Sequence, residues 1–305
     1  MVPIPRPSIA SPDPESTYSE DSILEIVETK AALQSLLDEW RHQGDHIALV
    51  PTMGNLHKGH MELVRLAREH AERVIVSIYV NPTQFGEGED FDEYPRTLER
   101  DTRRLKNGSV DAVFVPTDET MYPLGIKEAT IVSVPGLTEH FCGASRPGHF
   151  DGVTTVVARL FALVAPDVAV FGQKDYQQQL VIRHMTTDLS LPVRIVTAAT
   201  VREDDGLAMS SRNSYLTDEE RTVAPGLHDV LLGIGEALQD GKRDFAELEA
   251  DATDKLSEAG FEPEYVAIRR AQNLDIPDRD CDELVVLAAA GLGKARLIDN
   301  IVVTV

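Results

Sequence analysis

The chain has 305 residues, 42% of them hydrophobic, enough for one large or two ordinary domains with proper cores. Its net charge of −22, from 51 acidic against 29 basic residues, repels phosphodiester backbones and argues against a nucleic-acid binder. No apolar run is long enough to span a bilayer, the first residues lack a signal-peptide core, and Cys142 and Cys281 form no metal or redox motif, so a cytoplasmic protein without a membrane partner is expected.

Residues 1–20 hold five prolines among serines and acids and read as a disordered leader. From Ser22, the spacing of Ile23, Ile26, Ala31, Leu33, Leu36, Leu37 and Trp40 predicts a helix. Ile47, Ala48, Leu49 and Val50 form a continuous apolar run, as in a strand covered on both faces, and Pro51, lacking an N–H, should end it. Thr52, Met53, Gly54 and Asn55 are turn material, after which Met61, Leu63, Val64 and Leu66 return at helical spacing. His57, Lys58 and His60 thus fall on a turn and a helix start, where unpaired N–H groups and the dipole favour an anion. Gly59 removes a side chain where a ligand would approach the backbone. Two other readings of the histidine pair stay open, ordinary core or surface residues and a metal pair, although no HExxH glutamate or nearby cysteine accompanies it.

A strand over 73–80 follows, stopped by Asn81-Pro82, so that strand, helix and strand make a parallel βαβ unit. The loop from Asn81 to Gly86 then lies at the carboxyl edge, where open α/β sheets bind ligands, and Gln84 suits the orienting of a polar substrate. Glu87, Glu89, Asp90, Asp92 and Glu93 form an acidic run that reads as a solvated loop or an attraction for a divalent cation. A helix over 97–106, a strand over 112–116, an edge strand over 130–134, a helix over 153–165 and a buried strand over 168–171 come next. Gly172, Gln173, Lys174 and Asp175 then open a helix through Tyr176, Leu180, Ile182 and Met185, followed by a strand over 193–198. Beyond Val201 a loop at 207–213 precedes helices near 217–239 and 244–259 and strands over 264–269, 284–289 and 295–303. The fold class expected is α/β, a Rossmann-like doubly wound parallel sheet over 21–200, with a smaller C-terminal α+β domain over 201–305 acting as a lid.

Lys174 repeats the anion-capable helix start, and Ser210, Ser211 and Arg212 add hydroxyls and a guanidinium suited to phosphate oxygens. Each has an ordinary reading as well: a surface salt bridge for Lys174, a helix cap for Ser210, an inter-domain pair for Arg212. Together they suggest a triphosphate cradle without a GxxxxGK[ST] loop or a GxGxxG motif. Lysine is scarce beside arginine and acids abound, as in a chain adapted to high salt.

At these residues a resemblance enters. Thr52 to His60 (TMGNLHKGH) looks like the HxGH signature of class I adenylate-forming enzymes, and Met209-Ser210-Ser211-Arg212 is similar to the mobile phosphate-binding loop of class I aminoacyl-tRNA synthetases. Tyr79 to Phe85 (YVNPTQF), Arg146 to Val153 (RPGHFDGV) and Phe171 to Gln178 (FGQKDYQQ) narrow it: from about residue 22 onward the chain resembles the pantothenate synthetase (pantoate–β-alanine ligase) family. The resemblance implies condensation of pantoate with β-alanine, driven by ATP cleavage to AMP and pyrophosphate through a pantoyl adenylate, with Mg²⁺ and in a homodimer. Carried over, His57, His60, Lys174, Ser210, Ser211 and Arg212 would act on the phosphates. Met53, Gly54, Gly59, Gly172, Asp175, Val201 and Met209 would complete the ATP site. Gln84, Gln178, Asn81 and Tyr94 would hold pantoate, and Asp101 is the nearest match to the family's Mg²⁺ ligand. The chain departs from the family at Phe141-Cys142-Gly143, where many members have Leu-Glu-Gly.

Overall fold

The computed structural model describes residues 24–86 and 88–305. The expected leader over 1–20, with Ser22, Ile23 and Glu87, lies outside the described residues. Six parallel strands, β1 (Glu25–Val27), β2 (Ile47–Thr52), β3 (Arg73–Ile78), β4 (Ala112–Phe114), β5 (Val168–Gly172) and β6 (Arg194–Ala198), pair in the order β1-β4-β3-β2-β5-β6. Alternate residues of each strand supply two cores. Ile47, Leu49, Ile75, Phe114 and Phe171 meet α1 (Lys30–Gln43), whose Leu33, Leu37 and Trp40 they bury. Ala48, Val50, Val74, Val76, Val113 and Val170 face the other way, onto Val64 and Ala67 of α2 (Lys58–Arg68) and Leu105 of α3 (Leu98–Asn107). The short α4 (Asp118–Met121) and α5 (Cys142–Ser145) precede α6 (His149–Val164) and α7 (Tyr176–Asp188), which pack on the α1 side. A strand covered on both faces has no polar alternation, which is why the 47–50 run is apolar throughout.

The strand order reverses between β2 and β5, and there the sheet opens. Their ladder holds at Ala48↔Val168 and Leu49↔Ala169 and goes no further. β2 itself runs on through Pro51 to Thr52, one step beyond the expected stop. The Thr52 carbonyl accepts from Tyr79 N, the residue just after β3 (3.1 Å), so Pro51, one residue earlier, turns its missing N–H toward β5, where the ladder has already ended. Proline is tolerated in a central strand because it sits where the crevice begins.

Three other expectations are corrected. The helix expected from Ser22 starts only at Lys30, capped by Thr29 Oγ1 accepting from Ala32 N (3.2 Å), and Glu25–Val27 is an edge strand paired with β4. Residues 130–134 form no strand, because the Val132 backbone bonds to α6 side chains: Val132 N donates to Thr155 Oγ1 (2.9 Å), and Thr154 Oγ1 donates to Val132 O (2.5 Å). The helix expected over 217–239 is broken at Pro225 into α8 (Asp218–Val223) and α9 (Gly226–Gln239).

With α10 (Phe245–Glu258), α9 covers one face of an antiparallel sheet of β7 (Glu262–Arg270), β8 (Glu283–Leu292) and β9 (Ala295–Thr304). The other face, through Val285 and Leu287, packs on Tyr176 and Leu180 of α7. This is the smaller C-terminal α+β domain, joined to the parallel sheet by that contact and by Tyr176 OH donating to Ala271 O (2.7 Å). Among the described residues no helix is long and apolar enough to cross a membrane.

Candidate active site

The opening between β2 and β5 is a crevice of about 240 Å³. His57, Gly59, His60 and Met53 line it from the β2–α2 turn, and Gly172, Lys174, Asp175 and Gln178 from the end of β5 and α7. Gln84 and Tyr94 come from the β3 side, and Val201, Met209, Ser210, Ser211 and Arg212 from the C-terminal part. It adjoins a cavity of about 710 Å³ toward β9, with Lys174, Asp175, Gln178, Ser210 and Arg212 on the shared wall. Four apolar side chains of α6, Val153, Val156, Val157 and Leu160, form the dry wall.

His57 caps α2: its Nδ1 accepts from Gly59 N (3.1 Å), while His60 Nδ1 accepts from His57 N (3.2 Å). An imidazole whose Nδ1 accepts carries its proton on Nε2, so the same two bonds that cap the helix leave two Nε2–H donors. Burial, and then the Lys174 charge, lower His57 from 6.5 to about 4. Burial, then His57 and Lys174, lower His60 to about 3. Both are neutral at pH 7. The rings lie 4.1 Å apart between centroids, and a Cβ on Gly59 would stand 2.8 and 2.9 Å from two His57 ring atoms. Gly59 therefore makes room for His57. A metal pair fits poorly, since both Nδ1 atoms are engaged and no group of three or more His, Cys, Asp or Glu suited to a metal exists among the described residues.

Gln84 ends a short 3₁₀ turn, Pro82–Gln84, that rests on α6 at Gly152, where any Cβ would overlap the Thr83 carbonyl. Asn81, only 1% exposed, does not line the crevice as expected. Its amide donates to Gln84 Oε1 and Gly152 O (both 3.2 Å) and its Oδ1 accepts from Tyr122 OH (2.7 Å), so its hydrogen-bonding capacity is spent on the turn. Two residues to which the sequence assigns no role, Arg146 and His149, also hold Gln84. His149 Nδ1 donates to Gln84 O (2.8 Å), and Arg146 donates to His149 Nε2 (3.0 Å) and to Glu89 (2.5 Å). Both lie in the Arg146–Val153 run that carries the resemblance, which was the available signal. Burial and then Arg146 lower His149 to about 4.

Three histidines thus stay neutral when folded at pH values where the unfolded chain, near 6.5, takes up protons. Their contribution to stability is full above 6.5 and is lost progressively as pH falls toward 4. Melting temperature should therefore drop steeply over that interval, and His149→Gln should flatten the slope. A slope unchanged by that substitution would contradict the neutral assignment of His149.

Lys174 stands on the 3₁₀ turn Gln173–Asp175, whose Gln173 and Lys174 carbonyls accept from Asn300 Nδ2 of β9 (3.0 and 2.9 Å). The ammonium has no ion-pair partner among the described residues. A small hairpin, with Arg202 bridged to Ala208 and Met209 N donating to Val201 O (2.9 Å), presents the serine loop. Ser210 Oγ accepts from Arg212 N (3.2 Å) as a cap, Ser211 Oγ donates to Asn55 O (3.2 Å), and Arg212 pairs with Asp90 (2.9 Å). The cap and inter-domain readings of Ser210 and Arg212 thus hold while both face the crevice. Glu89 and Asp90 of the acidic run are spent on Arg146 and Arg212 rather than left to solvent or a cation.

Gly54 and Asp101 stand behind the crevice, not in it. Gly54 has φ +80°, and a Cβ there would meet Ile78 and Asp101 at 3.1 and 3.2 Å, so it serves the turn. Asp101 is fully buried, and its oxygens accept from Asn55 N (2.8 Å), Leu56 N (2.9 Å) and Thr97 Oγ1 (3.0 Å). A resident Mg²⁺ does not fit these residues.

Ligands of open parallel sheets bind where strand order reverses, and the polar groups of this chain gather there: it is an α/β enzyme of the Rossmann-like class. The chain belongs to the pantoate–β-alanine ligase family, whose profile matches residues 25–302. It is 55% identical over 278 residues to the pantothenate synthetase of Thioalkalivibrio sulfidiphilus, covering 91% of this chain and 97% of that one. With the pantothenate synthetase of Nitrosococcus oceani it shares 53% identity over 277 residues, 91% and 97% of the two chains. The crystal structure of pantothenate synthetase from Thermus thermophilus superposes with TM-score 0.85 at 45% identity, covering 91% of this chain and 99% of that one. Francisella tularensis pantoate–β-alanine ligase, complexed with β,γ-ATP and β-alanine, gives TM-score 0.76 at 32% identity, covering 92% and 97%.

Proposed function

We propose that the chain condenses pantoate with β-alanine through a pantoyl adenylate, consuming ATP and releasing AMP and pyrophosphate. The observation that carries this reading is the convergence of two neutral Nε2–H donors, Lys174 and the Ser210–Arg212 loop on one crevice whose other wall bears Gln84 and Gln178. Met53, Gly59, Gly172, Asp175, Val201 and Met209 would enclose the nucleotide, with Asp175 near the ribose. Gln84, Gln178 and Tyr94 would hold pantoate through its hydroxyl and carboxylate.

The pantoate carboxylate attacks the α-phosphorus in line: an O–P bond forms, the bond to pyrophosphate breaks, and negative charge spreads over the phosphate oxygens. His57, His60, Lys174 and Arg212 supply N–H donors and positive charge where it develops, without a protein nucleophile. The β-alanine amine then attacks the acyl carbon and AMP leaves. The α6 wall keeps water from the mixed anhydride meanwhile. Residues 201–305 would act as the lid, which Ser211 Oγ on Asn55 O and Arg212 on Asp90 support by already bridging the two parts. Magnesium, if it takes part, would arrive on the triphosphate, and no step here depends on it. The missing signal-peptide core and the absence of a cysteine motif support a cytoplasmic location, and the family resemblance supports a homodimer.

Pantoate-dependent exchange of pyrophosphate into ATP, with amide formed only on adding β-alanine, tests the reading. Exchange that ignores pantoate would overturn it, as would a nucleotide-linked final product.

A further inference from the structure

The carboxylate expected to hold magnesium is occupied otherwise. One turn of α3 grips a single dipeptide: Asp101 accepts both backbone N–H groups of Asn55 and Leu56 (2.8 and 2.9 Å), while Arg104 donates to Leu56 O and Arg100 to Asn55 Oδ1. Asn55, the first residue of the dipeptide, is left-handed at φ +50°, a conformation that a non-glycine residue holds at some cost and that its surroundings must fix. The next residue, His57, is the helix cap whose bonds fix both imidazole tautomers. A cation approaching Asp101 would meet a fully buried carboxylate with three bonds made and a guanidinium on either side in sequence.

We infer that Asp101 and Arg104 are positioning residues of the adenylation step, a two-pronged clamp on the Asn55–Leu56 peptide that aims His57 and His60, and that Asp101 binds no metal. The inference rests on the ATP-dependent reading proposed above. A carboxylate that accepts two adjacent N–H groups cannot be lengthened without displacing them, and Gly54 leaves no slack behind it. Glutamate, an equally good magnesium ligand, is therefore a poor substitute for a clamp. Arg104 is exposed on α3, so its side chain can be changed without opening a core.

The test compares full-length Asp101→Asn, Asp101→Glu and Arg104→Gln in pantoate-dependent pyrophosphate exchange across magnesium concentrations. Both Asp101 variants should lose about 100-fold in kcat, the cost of misplacing a reacting group by about 1 Å, with magnesium half-saturation unchanged. Arg104→Gln should lose about tenfold with the same magnesium response, and nothing further in a His57→Ala/His60→Ala background, since it acts through those two rings. Full activity in Asp101→Glu would overturn the clamp, and so would a tenfold rise in magnesium half-saturation with recovery at saturation. If the Asp101 variants do not fold, Arg104→Gln decides: loss of kcat at unchanged melting temperature supports the clamp, and an unchanged kcat refutes it. A parent enzyme without exchange defeats the reading itself, whereas active parent and silent variants defeat only the clamp.

Discussion

Replacing Lys174 by alanine is expected to lower turnover about 1,000-fold while leaving the melting temperature within a few degrees of the parent. The magnitude is that of removing a preorganised charge from a site where negative charge develops, at the upper end of what a single donor supplies. The fold should survive because the turn is held by its backbone. The Gln173 and Lys174 carbonyls accept from Asn300, and neither bond involves the ammonium. That ammonium has no carboxylate partner among the described residues, yet its charge helps depress both His57 and His60, so it already acts on the site rather than on the surface. Lys174→Arg should recover little, since a planar fork does not replace a point charge on a flexible stem. Single-turnover formation of pantoyl adenylate is the measurement. A loss of tenfold or less would remove Lys174 from the chemistry.

Gly59→Ala is the second large effect, and its first contact is with the His57 ring, although Gly59 also lines the crevice. The added methyl would lie 2.8 and 2.9 Å from the His57 ring, whose far end can swing away, so the chain folds but the imidazole moves. With it goes the bond from Gly59 N to His57 Nδ1 that places the proton on Nε2. A loss of about 100-fold in kcat is expected, against about 100- to 1,000-fold for His57→Ala. The combination should be no worse than His57→Ala alone, because both remove the same donor. Additive losses would mean that Gly59 serves the nucleotide directly and not the ring.

Much of this was legible in residue order, for physical reasons that differ between elements. A strand buried on both faces announces itself by an unbroken apolar run, so β2, β3 and β5 could be placed, and the reversal of strand order put their carboxyl ends together. The edge strand β1 is three residues long, too short to show a period of two, and Ile26 falls by chance in step with the helix behind it. The 130–134 segment alternates like a strand, yet the hydroxyls of Thr154 and Thr155 take the place of a ladder. Among site residues, Lys174, Gln84 and the histidine pair reach the crevice because they stand on strand ends and helix starts. Asn81 and Asp101 are of the right chemical type but spend their polar atoms on nearby backbone, a choice no spacing reveals. His149 was missed for the opposite reason: it meets Gln84 across 65 residues of chain.

Asn300 carries a consequence for how the enzyme comes into being. It lies 126 residues after Lys174, and its amide is what the Lys174 turn leans on. β6 ends at Ala198 and β9 begins at Ala295, so in order of synthesis the Lys174 turn gains its Asn300 bonds only once the last strand is made. A chain cut short before Asn300 would therefore lack the side chain that holds the Lys174 turn, however complete its parallel sheet.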